Sequence, residues 1–277
     1  FGISSLATHS IEEIAELTSG PKLFQLYVHK DKGLNNNMIE RCKASGFDAL
    51  ALTVDTIVSG KRERCLRSGF TTPPRFSASA LWSYATRPHW TLDYIFGPKF
   101  RLPNLDGYVQ EGTGKAVSIQ DYFNTMLDTN MDWDTAARIR RDWGGTFVLK
   151  GVMSARDARR AVEIGADAIM ISNHGGRQLD GSRAPFDQLS EIVNEVGGEI
   201  EIILDGGVRR GTHILKSLSA GATAASGGRL YLYALAAAGQ PGVERAVNIL
   251  KDEIERGMRL MGVTSLDQLS PSSLRWR

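Results

Sequence analysis

The chain has 277 residues, 42% of them hydrophobic, with 33 Lys and Arg set against 31 Asp and Glu. That length buries a large core and fits one barrel-sized domain over residues 1–277. So even a charge balance gives no footprint for nucleic acid and none for a strongly acidic partner. Cys42 and Cys65 make neither a disulfide framework nor a zinc spacing, so a reducing compartment and no metal are expected. No apolar run reaches membrane-spanning length, and the opening FGISSLATHS lacks the pattern of a signal peptide. These features predict a cytoplasmic protein, attached at most to the inner face of a membrane. The first residues read as the end of a strand, which implies further sequence upstream.

Taken in chain order, short apolar β-branched runs alternate with amphipathic ones. A strand over Phe1–Leu6 leads to a helix over Ser10–Leu17, opened by a capping box in which Ser10 and Glu13 satisfy each other's backbone N–H. A strand over Lys22–Val28, a helix over Asn36–Ser45 and a strand over Ala49–Asp55 follow. The rhythm then stops. From Phe70 to about Asp134 there is no clear βα unit, and the segment carries Trp82, Tyr84, Trp90, Tyr94, Phe96 and Phe100 among prolines, the mark of a functional or mobile insertion. It resumes with strands over Thr146–Val152, Ala168–Asn173, Glu201–Gly207 and Ala222–Gly228. Between them lie helices over Ser154–Ile164, closed by Gly165, Phe186–Val196 and Gly211–Leu218. A long amphipathic helix over Pro241–Met261 and a docked tail over Ser270–Arg277 end the chain. Repeated βα units with polar residues at the strand ends predict an α/β protein of the (β/α)8, or TIM barrel, class. A doubly wound open sheet is the alternative.

The segment SNHGGRQLD, Ser172–Asp180, follows the apolar run AIMI. It delivers a proton acceptor, His174, and a fixed cation, Arg177, to one loop at a strand's C-terminal end, where barrels gather their chemistry. Arg177 suits a two-pronged grip on a carboxylate. A second segment, DGGVRRG over Asp205–Gly211, turns from a strand into a helix; its glycines and the helix start offer backbone N–H groups to a phosphate, with Arg209 in support. Gly227, Gly228 and Arg229 repeat the pattern after the next strand. Lys150 stands inside the apolar run FVLKGV, where an unpaired cation would be costly, so it needs an anionic or ring-nitrogen partner.

These segments, with SSLATHS, FQLYVHKD, ALTVDT and VLKGV, make the chain resemble the FMN-dependent L-2-hydroxy-acid oxidases and dehydrogenases, which include glycolate oxidase, L-lactate dehydrogenase and mandelate dehydrogenase. The resemblance implies an FMN enzyme that oxidises a lactate-like L-2-hydroxy acid to the 2-oxo acid and passes electrons to quinone, cytochrome or oxygen. It implies His174 as base, Asp55 as its orienting carboxylate, Arg177 and a more mobile Arg62 on the substrate carboxylate, and Tyr27 on the substrate. Lys150 is implied at the flavin pyrimidine edge. Ser4, Gln25, Thr53 and Ser172 are implied around the flavin ring, Asp205 on the ribityl chain, and Gly207, Arg209, Gly228 and Arg229 at the phosphate. A homo-oligomer, a tetramer, is implied too.

Family members carry a longer N-terminal portion with the first barrel strand and helix. An incomplete barrel is therefore expected, its insertion lying between the fourth and fifth barrel strands. Leu6 stands where glycolate oxidase has a tryptophan, which leaves room for lactate or a larger acid. The stretch Leu81–Leu105 resembles that of the membrane-associated bacterial enzymes, and its aromatics, interleaved with Arg87, Lys99 and Arg101, suit peripheral membrane contact; a self-packed lid or subunit contact is the alternative. Two other functions compete with the main one. They are an inactive fragment of such an enzyme and an FMN-dependent isopentenyl diphosphate isomerase, against which Arg177 beside His174 argues.

Overall fold

The structure, a computed structural model, describes residues 1–68, 77–107 and 125–275. The chain divides into two compact units, one of residues 1–50 and 57–131, the other of residues 51–56 and 132–277.

In the first unit, β1 (Gly2–Ser4) pairs in parallel with β2 (Leu23–Leu26), placing Ser4 opposite Gln25. Between them α1 (Ile11–Leu17) starts at the expected capping box, with Ser10 Oγ accepting from Glu13 N–H and Glu13 accepting from Ser10 N–H at 2.7 Å. The next helix, α2 (Lys32–Ala44), begins before the expected Asn36. Asp31 explains the difference, because its carboxylate accepts from the N–H groups of Gly33 and Leu34 and so nucleates the first turn. The asparagine run, a weak helix start by composition, contributes a different contact: Asn35 is buried and accepts the His29 N–H at 2.9 Å. Leu34, Met38 and Ile39 on α2 and Phe24 and Leu26 on β2 are buried. Arg41 grips Glu12 through two bonds of 2.7 Å, holding its carboxyl down at about 2.

β3 (Ala49–Thr53) runs from the first unit into the second. Of the expected insertion, residues 70–76 and 108–124 lie outside the described residues. Those described form α3 (Glu63–Ser68), α4 (Ala78–Ala85), α5 (Pro88–Phe96) and a buried 3-10 turn, Pro103–Leu105.

The second unit opens with α6 (Trp133–Trp143), a helix that the apolar pattern leaves unassigned between the insertion and the next strand. Its signals are ordinary ones: Asp132 caps Thr135 N–H at 2.8 Å, Ala136, Ile139 and Trp143 are buried, and Gly144 ends it at φ 73°. Then come β4 (Thr146–Val152), α7 (Ala155–Glu163), β5 (Ala168–Ile171), α8 (Pro185–Val196), β6 (Glu201–Asp205), α9 (Gly211–Ser219), β7 (Ala224–Ser226) and α10 (Arg229–Met261). α10 is broken at Ala238 and Gly239, just before Pro241. β4, β5, β6 and β7 pair in parallel in that order, and every residue of β5 is buried, as expected for a strand covered on both faces. Seven strands in chain order among the described residues, parallel within each unit and separated by helices, follow the strand–helix repeat of the (β/α)8 class.

Candidate active site

The C-terminal ends of the second unit's strands carry most of the residues singled out from the sequence. His174 follows β5 and Asp55 follows β3. Their side chains meet with His174 Nδ1 3.2 Å from Asp55 Oδ1 and 3.3 Å from Oδ2, at side-chain exposures of 16% and 12%. Burial pushes the Asp55 carboxyl up, but its bond to His174, the nearby Lys150 ammonium and the Thr56 hydroxyl outweigh burial and hold it below the ordinary aspartate value. An ionised Asp55 fixes the proton on His174 Nδ1 and leaves the Nε2 lone pair as the ring's basic site.

Three residues with no role assigned from the sequence shape this pair. Thr56 is buried and donates to Asp55 Oδ1 at 2.8 Å. Gln178 Nε2 donates to the Asp55 carbonyl at 3.0 Å, tying the end of the nonapeptide loop back to the segment that carries the carboxylate. Gly151 sits at φ 106°, and a Cβ there would lie 2.7 Å from Asp55 Cβ. Signals for all three exist along the chain: Thr56 directly follows Asp55, Gly151 directly follows Lys150, and Gln178 directly follows Arg177. What periodicity does not report is which residue approaches which.

His174 itself adopts φ 57°, an uncommon conformation for a residue other than glycine. Its N–H is donated to Ser172 Oγ at 3.1 Å, which helps hold that conformation. Ser172 donates in turn to Asp205 Oδ2 at 2.6 Å and accepts from Lys150 Nζ at 3.3 Å. Lys150 and Asp205 are 3.7 Å apart, so the anionic partner required by the lysine is found at the end of β6. Thr53 is buried on β3. Arg177 projects from the same loop as His174, exposed and with no hydrogen bond or ion pair among the described residues.

Behind the loop lies a cavity of about 490 Å³ whose lining includes Gly175, Gly206, Gly207 and Arg229. Gly206 and Gly207 take φ 126° and 73°, the tight turn that exposes backbone N–H groups, and a Cβ on Gly228 would meet nothing within 4 Å. Arg229 Nη2 donates to the Gly175 carbonyl at 2.8 Å, linking the turn after β7 to the loop after β5. Arg209 is exposed. Two open glycine turns beside arginines, with a paired lysine nearby, fit a phosphate-bearing cofactor. Among the described residues no group of His, Cys, Asp and Glu could hold a metal.

In the first unit, Ser4 Oγ donates to Gln25 Oε1 at 2.8 Å, and Tyr27 is buried just past β2. Arg62 directly precedes α3.

Residues 1–276 match the family model described as FMN-dependent dehydrogenase. An L-lactate dehydrogenase of Alcaligenes faecalis is 39% identical over 99% of the chain and 72% of its own length, and an L-lactate oxidase of Nostoc is 41% identical over 98% and 70%. A Mycobacterium tuberculosis relative provisionally named L-lactate dehydrogenase is 38% identical, and the chain spans 64% of its length. Among solved structures, the monotopic membrane protein (S)-mandelate dehydrogenase superposes with a TM-score of 0.91 at 34% identity, covering 99% of this chain and 72% of that one.

Proposed function

The chain belongs to the FMN-dependent dehydrogenase family, and from that premise and the His174–Asp55 geometry we propose that its protein oxidises an L-2-hydroxy acid of the lactate or mandelate class to the 2-oxo acid. FMN is the family's cofactor; when bound it accepts the two electrons that leave the substrate. The observation that carries the reading is a histidine whose Nδ1 faces an ionised carboxylate, because this leaves Nε2 free to take a proton and stabilises the imidazolium that results. Arg177, unengaged on the same loop, binds the substrate carboxylate through two parallel bonds and so orients the α-carbon. The Lys150–Asp205 pair and Ser172 form the polar floor that FMN meets, and the Gly206–Arg209 and Gly227–Arg229 turns take its phosphate. Ser4, Gln25, Tyr27 and Arg62 keep the flavin and substrate roles implied by the family resemblance. The relatives named above are lactate and mandelate enzymes, so the isomerase alternative is not favoured.

The direct test is anaerobic mixing of the flavin-loaded protein with L-lactate, L-mandelate or glycolate and with their D enantiomers where these exist. Bleaching of the flavin absorbance by L acids alone supports the reading. A protein bleached by none of them sinks it.

A second reading concerns location. Trp82 and Phe96 are 73% and 81% exposed, Leu81, Ile95 and Phe100 are exposed too, and a solved relative is named as a monotopic membrane protein. Part of the segment packs on itself, with Trp90 stacked between Tyr84 and Tyr94 at 5.2 Å. No described helix is long and apolar enough to cross a membrane. Exposed aromatics beside Arg87 and Lys99 instead suit insertion into one leaflet's interface, from which a membrane quinone could be reached. Sedimentation with anionic liposomes, lost when Trp82 and Phe96 are both changed to Ser, tests it; unchanged sedimentation of that variant would favour the lid or subunit contact.

A further inference from the structure

The phosphate end of the site, as read from its glycine turns, draws on Gly207, Arg209, Gly228 and Arg229. The cavity that these turns border has another wall. From α9 it receives His213 and Lys216, which belong to no motif discussed above. Resting on the FMN reading, we infer that these two residues complete the phosphate site: Lys216 as an additional positive charge on the phosphate, and His213 as the positioning residue of the Gly206–Arg209 turn.

Three observations carry this. First, the cavity lining includes Lys216, His213 and Arg229 and not one carboxylate, so it is built for an anion. Its walls include Leu204, Val208 and Phe186, and a charge attracted there is screened less than at an open surface. Second, Lys216 has no hydrogen bond or ion pair among the described residues, and unlike other exposed cations of the unit without a partner, such as Arg156 and Lys251, it lines the cavity. An ammonium left unpaired beside an open glycine turn is available to a ligand. Third, His213 Nδ1 lies 3.1 Å from the Gly207 carbonyl oxygen and 3.2 Å from the Arg209 N–H nitrogen. When Nδ1 carries a proton it donates to Gly207. When it does not, it accepts from Arg209. In either state the ring braces the turn from the helix beneath it, at the residues whose N–H groups and side chain are assigned to the phosphate.

The phosphate contribution is isolated by comparing FMN with riboflavin, which has the same ring and ribityl chain but no phosphate. Binding of each to the flavin-free protein is followed by quenching of flavin fluorescence, a readout independent of turnover. Lys216→Gln and His213→Ala are each expected to weaken FMN about tenfold or more, the size of a lost charge-assisted contact, and to leave riboflavin within about twofold. His213→Asn, whose amide can replace the Nδ1 contact, should recover most of the FMN affinity. An unchanged ratio of FMN to riboflavin affinity in Lys216→Gln overturns the role of the lysine. Equal weakening of both flavins in His213→Ala, or no recovery in His213→Asn, overturns that of the histidine. Wild-type protein that binds neither flavin would instead remove the FMN reading on which both roles stand.

Discussion

Ser172 and Asp205 are joined by a 2.6 Å hydrogen bond, and through it one buried hydroxyl serves two other partners: it accepts from Lys150 Nζ and from the backbone N–H of His174. The conformation of the proposed base and the placement of the proposed flavin-facing lysine thus depend on the same oxygen. Ser172→Ala should leave both donors short of an acceptor and destabilise the protein by about 1–3 kcal/mol. Flavin reduction should slow as well, since His174 loses part of what holds it at positive φ. Urea unfolding together with single-turnover flavin reduction checks this; a variant with unchanged stability and rate would show that the hydroxyl is a bystander.

His174→Gln should lower the rate of flavin reduction by about a hundred- to ten-thousandfold while FMN still binds, because an amide keeps hydrogen bonding but takes no proton. Single-turnover stopped-flow measurements of flavin reduction in the wild type and in His174→Gln compare the two rates directly. Reduction within about tenfold of wild type would assign the proton transfer to another residue.

Asp55 makes a separate pH prediction. Its carboxyl is lowered in the folded protein, so its charged contacts add stability above the unfolded aspartate value, about 3.9, and lose it as pH falls through the lower folded value. The stability difference between wild type and Asp55→Asn should therefore be steady near neutrality and shrink below about pH 4. Thermal melts across that range measure it, and a difference that grew on acidification would mean that the carboxyl is raised instead.

Gly151→Ala should be more damaging than its size suggests. The new methyl would stand 2.7 Å from Asp55 Cβ at a φ of 106°, so either the strand end or Asp55 must move. A stability loss on the order of 1–3 kcal/mol is expected for such strain, with a loss of flavin reduction beyond what that destabilisation explains. Normal reduction kinetics in a folded Gly151→Ala protein would show that Asp55 has freedom to shift.

Burial raises the Cys42 thiol far above its ordinary value, whereas Cys65 is only partly covered. Native protein treated with iodoacetamide near pH 8 should be labelled at Cys65 alone, with Cys42 modified only after unfolding. Peptide mass mapping distinguishes the two, and rapid native labelling of Cys42 would indicate local opening of α2.

Each of the seven strands lies within a run legible from apolar periodicity, and the Ser10–Glu13 box and the Ser154 cap stand where spacing places them. Such signals involve residues a few positions apart, and so does the glycine-rich chemistry of the turns after β5 and β6. The start of α2 is less legible because Asp31 overrides the weak helix preference of the asparagines after it. The site itself is non-local. Asp55 and His174 are 119 positions apart, and only the tertiary structure brings Nδ1 to the carboxylate, threads Gln178 back to the Asp55 carbonyl and presses Gly151 against the Asp55 side chain. His213 and Lys216 read along the chain as two polar residues on an amphipathic helix; the folding of α9 beneath the Gly206–Arg209 turn is what gives one a place under the turn and the other a place in the cavity. Periodicity records which face a residue takes, whereas the identity of the group opposite is set by how distant strands and helices pack.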